Sequence, residues 1–124
     1  MAAQTPEEVN PQLIDAINRG DVEGALELYE PEAAFVTEDG VVVGHDAIRP
    51  VMEAFISTKP SLTMEPKEVV VSGDVAVTRG NWKLVGTGPD GEALEMGGRS
   101  LEVVRRQADG TWRFIIDDPN GRDD

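Results

Sequence analysis

Apolar residues recur every three or four positions along the first part of the chain and every second position along the rest. Val9, Leu13, Ile14 and Ile17 fall on one stripe of a helix. Thr5 with Glu8 forms a capping box with Pro6 at the first turn, and Asn10-Pro11 offers a second start, so the spacing predicts one helix kinked at Pro11. Gly20 suits a left-handed cap, Asp21 caps a second helix over VEGALELYE, and that helix must stop before Pro31. Ile48, Val51, Met52 and Phe55 mark a third, with Asp46 as its cap and Pro50 limiting its length.

Between the second and third helices, AAFVTEDGVVVG reads as two short strands around the Asp39-Gly40 turn. From Leu62 onward the period is two, broken by Ser72-Gly73-Asp74, Pro89-Asp90-Gly91 and Ala108-Asp109-Gly110. Four antiparallel strands are expected there, giving an α+β domain, residues 1–124, with its helices segregated toward the N-terminus.

Side-chain alternation then sorts residues onto faces. Pairing through Asp109-Gly110 predicts Arg99, Leu101 and Val103 on one face with Trp112, Phe114, Ile116 and Asp118, and the preceding hairpin adds Ala76, Thr78, Gly80, Trp82 and Leu84. In one register Arg99 lies opposite Asp118, giving a row Trp82, Arg99, Asp118. A guanidinium between an aromatic face and a carboxylate can orient a carbonyl, with Asp118 as base or as the arginine's anchor. The same row can equally be a salt bridge with a stacked tryptophan closing the sheet end. Trp112, Phe114 and Tyr29 fill a core at these spacings, Trp112 and Phe114 also lining any cup, and Gly97-Gly98 is either a bulge that bends the sheet or a place where ligand comes close to the backbone.

The opposite face is expected to carry Val75, Val77, Val85, Leu94, Met96, Val104 and Ile115, interleaved with Arg79, Glu102 and Arg113. So much apolar surface predicts a homodimer through the convex sheet face. The formal net charge is -13, from 24 acidic and 11 basic residues, which argues against nucleic acid and anionic membranes as partners. Cysteine is absent, excluding disulfides and thiolate chemistry. His45, the one histidine, suits a helix start, so neither a metal nor another cofactor is expected. MAAQTPEEVNPQ has no basic residue and no apolar core, and no run approaches the roughly 20 apolar residues a membrane span needs, so a cytoplasmic protein is expected.

AINRGDVEGALELYEPEAAFVTEDGVVVGHDAI, followed by RRQADGTWRFIIDD, resembles the SnoaL-like and ketosteroid isomerase-like branches of the nuclear transport factor 2-like superfamily. The resemblance implies a cone-shaped, bent antiparallel sheet with three N-terminal helices covering its concave face, and dimers. It places the family's catalytic base near Glu38, its helix-one tyrosine on Leu13, and its second acid near Glu102, which the alternation above turns outward. Steroid isomerisation is therefore not expected. The chemistry expected instead is that of a small-molecule pocket: a cofactor-independent isomerase, cyclase or hydratase acting on an apolar oxygenated substrate through Glu38 or Asp118, or a ligand-binding or dimeric accessory domain without turnover.

Overall fold

Gly20 takes the left-handed conformation at φ 74°, and its amide and that of Asp21 return to the last turn of the first helix. In the computed structural model, which describes residues 2–122, that helix is α1 (Val9–Arg19), preceded by a 3-10 turn over Pro6–Glu8. Thr5 makes no side-chain cap, so Pro6 sets the start by its ring alone. Asp21 does cap α2 (Val22–Glu27), its Oδ1 accepting from the Gly24 amide at 2.9 Å. β1 (Tyr29–Thr37) and β2 (Gly40–Val43) follow, then α3 (His45–Ser57). Gly44 rather than Asp46 occupies the N-cap of α3, and Pro50 sits inside it without ending it. Burial of Ile48 and Met52 on the helix's inner stripe holds the turns that the proline weakens.

Four longer strands complete the chain: β3 (Ser61–Ser72), β4 (Val75–Thr87), β5 (Ala93–Arg106) and β6 (Trp112–Asp118). They join β1 and β2 in one sheet of order β2-β1-β6-β5-β4-β3, curved and unclosed. Every pairing is antiparallel except β1 with β6, which is parallel, so the expected all-antiparallel sheet is in fact mixed. The helices cover the concave face, where Val9, Leu13, Ile17, Ile48 and Met52 pack with Tyr29, Phe35, Leu84, Val104 and Phe114. Among the described residues no helix is long and apolar enough to cross a membrane.

Register decides what the cup contains. Trp82 stands opposite Gly98, and Asn81 opposite Arg99, one residue away from the pairing expected from the turns. Arg106 likewise faces Trp112, and between Val104-Phe114 and Val103-Ile116 a bulge at Ile115 shifts the ladder again. A slip of one residue exchanges the two faces of a strand. On β5 it therefore carries Ser100, Glu102 and Val104 inward and Arg99, Leu101 and Val103 outward. The bulge then turns Asp117, opposite Glu102, inward and Asp118, opposite Leu101, outward.

Candidate functional site

The concave face ends in a cup lined by α1, α3 and five of the strands. Leu13, Ile14 and Ile17 of α1, Met52 and Phe55 of α3, and Phe35, Leu62, Met64, Trp82 and Leu84 of the sheet form its apolar wall. The cavity measures about 60 Å³, several times the ~10–15 Å³ that one water needs on the same measure.

The polar lining is Asn10, Tyr29, Ser100, Glu102 and Asp117, and it gathers around one cross-strand pair. Glu102 and Asp117 are directly opposed on β5 and β6, 2 % and 5 % exposed. Opposed side chains on one face lie roughly 5 Å apart at Cβ, close enough for two carboxylates to repel strongly in a dry site. Tyr29, wholly buried at the start of β1, donates its hydroxyl to Asp117 Oδ2 at 2.5 Å. Its ring is fixed against Phe114 at 4.8 Å between centroids, and the opposite pole of the residue is tied down by His45, whose Nε2 lies 2.8 Å from the Tyr29 carbonyl oxygen. Glu102 Oε1 accepts from Thr78 Oγ1 at 2.6 Å and from Asn10 Nδ2 at 3.1 Å, so α1 is stitched to the floor of the cup.

The two acids differ in what surrounds them. Burial pushes Asp117 up to about 8, and the negative charge of Glu102 adds to that, while the Tyr29 hydroxyl opposes it. Burial also raises Glu102, but hydrogen bonds from Ser100, Thr78 and Asn10 and the nearby Arg122 guanidinium pull it back. Asp117 is thus the member that keeps its proton near neutral pH, and Glu102 is the better solvated by donors. Tyr29 is itself driven well above its ordinary value by burial and by Asp117, which leaves it a hydrogen-bond donor throughout the physiological range. Replacing it, Tyr29→Phe, keeps the packing and deletes the hydroxyl that donates to Asp117 Oδ2. The expected loss is about 1–3 kcal/mol in a urea melt, with Asp117 titrating at still higher pH; an unaltered midpoint and titration would mean the hydroxyl carries neither role.

Of Glu38, Asp118, Trp82, Arg99, Trp112 and Phe114, the residues expected from sequence to act on or bind a ligand, only Trp82 lines the cup, together with Glu102 and Leu13, the positions to which the family resemblance pointed. Trp112 and Phe114 face the same side but are core: Trp112 pairs with Ala3, and Phe114 backs Tyr29. Arg99 is exposed on the convex face and Asp118 shares that face, because the register shift and the bulge rotate both out of the cup. Glu38 is exposed in the turn between β1 and β2, where Thr37 Oγ1 donates to Gly40 O at 2.7 Å and closes the hairpin. None of these three is placed where it could touch a molecule in the cup. Gly97-Gly98 forms no bulge; a Cβ on Gly98 would lie 2.8 Å from Pro119 O, so what comes close there is the chain's own backbone rather than a ligand.

A family model described as a SnoaL-like domain matches residues 12–115. Among solved structures, a nuclear transport factor 2-like superfamily protein from Salmonella enterica serovar Typhimurium superposes with a TM-score of 0.82 at 21% identity, over 94% of this chain and 88% of its own. A ketosteroid isomerase-like protein from Erwinia carotovora atroseptica gives 0.80 at 23% identity, over 90% and 89%. A nuclear transport factor 2-like protein with a cystatin-like fold from Novosphingobium aromaticivorans gives 0.75 at 19%, over 90% and 75%. At these identities the likeness is one of fold. No curated protein matches the chain in sequence.

Proposed function

The chain belongs to the SnoaL-like domain family, and on that premise we propose that its cup binds a small, mainly apolar, oxygenated molecule and moves a proton on it without a cofactor, as an isomerase, cyclase or hydratase does. One observation carries the reading: a pair of opposed, buried carboxyl groups at the cup's floor, one held by a tyrosine hydroxyl and the other by a threonine and an asparagine. Two acids whose surroundings separate their titrations divide naturally into donor and base.

For an enone, protonated Asp117 donates a hydrogen bond to the carbonyl oxygen. Glu102 removes a proton from the gamma carbon of a conjugated enone, or from the alpha carbon of its unconjugated isomer, and the C–H electron pair passes into a dienolate whose oxygen Asp117 holds. Return of the proton from Glu102 to a different carbon moves the double bond and restores both acids. Tyr29 keeps Asp117 in position, and the apolar wall excludes the water that would weaken these interactions.

The test is hydrogen exchange of 3-methylcyclohex-2-enone in D₂O, followed by NMR. The wild-type chain is expected to accelerate deuterium incorporation at the enolisable positions, and Asp117→Ala to lower that rate by roughly 10²–10³. Binding of the enone with no exchange above buffer would sink the catalytic role and leave a ligand-binding domain.

The convex face supports a second copy of the chain as partner. Register places Val43, Ala34, Ile116, Val103, Val77 and Val70 in one row across all six strands. Val43 and Val70 at its two ends are about half exposed, at 54% and 51%. Val104 and Glu102, expected on this face, turn inward, and Val103 and Leu101 replace them. A twofold contact of sheet on sheet lays the row on itself.

A further inference from the structure

After β6 the chain turns back on itself, the Asn120 amide donating to Asp118 Oδ1 at 3.2 Å. The next residues lie across β5 and β4. Pro119 is part of the cup's lining, and its carbonyl oxygen accepts the indole N–H of Trp82, also in the lining, at 2.7 Å. Gly98 makes this approach feasible: a Cβ there would sit 2.2 Å from Asn120 Oδ1, 2.8 Å from Pro119 O and 2.9 Å from Trp82 Nε1. Gly121 is similarly tight, 3.0 Å from Leu101 Cβ. Arg122 then fastens the segment. Its amide donates to Arg99 O at 3.2 Å, and its guanidinium donates to Ser100 O and Gly80 O, each at 3.1 Å, and to Asn81 Oδ1 at 2.8 Å.

We infer that residues 119–122 are a strap at the rim of the cup, passing from Pro119 on the cup side to Arg122 beside Asn81 on the outer side, with Trp82 as its catch and Arg122 as its latch, and that its closure sets the size of molecule the cup admits. With the strap in place Pro119 forms part of the wall of a cavity of about 60 Å³. Released, the strap frees the Trp82 indole to swing and lengthens the cup toward solvent. Trp82 thereby becomes a specificity-determining residue: its N–H is spent on Pro119 O rather than on ligand, and its ring moves with the strap. The inference rests on reading the cup as a small-molecule site, and the experiment separates the two.

The two tryptophans give two indole N–H resonances, and Trp82→Phe assigns them. In the full chain, exchange of the Trp82 N–H with D₂O is expected to be slow. Arg122→Ala should speed it roughly tenfold by populating the open strap. Gly98→Ala, which leaves Arg122 intact but pushes on the Pro119 carbonyl, should do the same and carries the test if Arg122→Ala melts. Binding is read in parallel by tryptophan fluorescence with two enones, 3-methylcyclohex-2-enone and testosterone. The wild-type chain should take the small one alone, and both variants should also take the large one. Unchanged Trp82 exchange in both variants, or an unchanged size preference in variants that exchange faster, overturns the inference. If no form binds either enone while the variants still exchange faster, the reading of the cup fails and strap closure stands.

Discussion

Asp117→Asn is expected to remove most of the pH dependence of folding stability between about pH 5 and pH 8. With its folded value raised to about 8 by burial and by Glu102, Asp117 holds a proton in the folded chain over a range where the unfolded chain has released it. The folded state then binds more protons than the unfolded one, so stability is fully present below the ordinary aspartate range and is lost as pH rises through about 8. The slope is about 1.4 kcal/mol per pH unit for one proton. Glu102, also raised, acts in the same direction. Glu23, Glu30, Glu65 and Asp109 are lowered by their partners, so their contributions are lost only at acid pH, outside this window. Asparagine matches protonated aspartate in shape and binds no proton. Urea midpoints taken from pH 5 to pH 9 should therefore fall steeply for the wild-type chain and much less steeply for the variant, whose remaining slope is that of Glu102. Parallel curves would mean that Asp117 ionises normally, and the proposed division of labour between the two acids would go with it.

The helices, the turns and the identity of most core residues were legible because each rests on short-range patterning: Gly20 needs its left-handed backbone, and Ile48 and Met52 need one helix face. The site was not, because it depends on strand register. Along LEVV the alternation offers Leu101 and Val103 or Glu102 and Val104 as the inner pair, and hydrophobicity alone chooses the first. The fold chooses the second, burying Glu102 with donors from three elements and leaving Leu101 and Val103 outside. One signal was available: an acid in the middle of an apolar strand, and FIID bringing another to the same level of the next strand, is either a surface position or a buried pair. The family resemblance points to Glu102 as well, against the alternation that hydrophobicity alone selects. Tyr29 is legible as a core residue but not as a hydroxyl donor, since its partner, Asp117, is 88 residues away. Arg122 and the strap leave no periodic trace at all.

The ambiguity along β5 has a physical cause. β5 reads as apolar on both faces because both faces are covered, one by helices and the other, under the proposal above, by a second copy; a strand with only one buried face alternates cleanly. Val103→Asp is accordingly expected to weaken the dimer at least a hundredfold in Kd, about 2.7 kcal/mol, by placing a carboxylate at the middle of the row between Val77 and Ile116. The folded monomer should persist, since Val103 faces away from the core and the cup. Salt supplies a second readout with a definite sign. Each copy carries a formal charge of -13, so like-charge repulsion opposes association, and raising salt from about 0.05 M to about 0.3 M should tighten the wild-type dimer by screening it. An interface held by ion pairs would respond in the opposite sense. Sedimentation equilibrium at micromolar concentration gives both answers at once. A wild-type mass equal to one chain at either salt would rule out the convex-face dimer, and a dimer that survives Val103→Asp would move the contact to another surface.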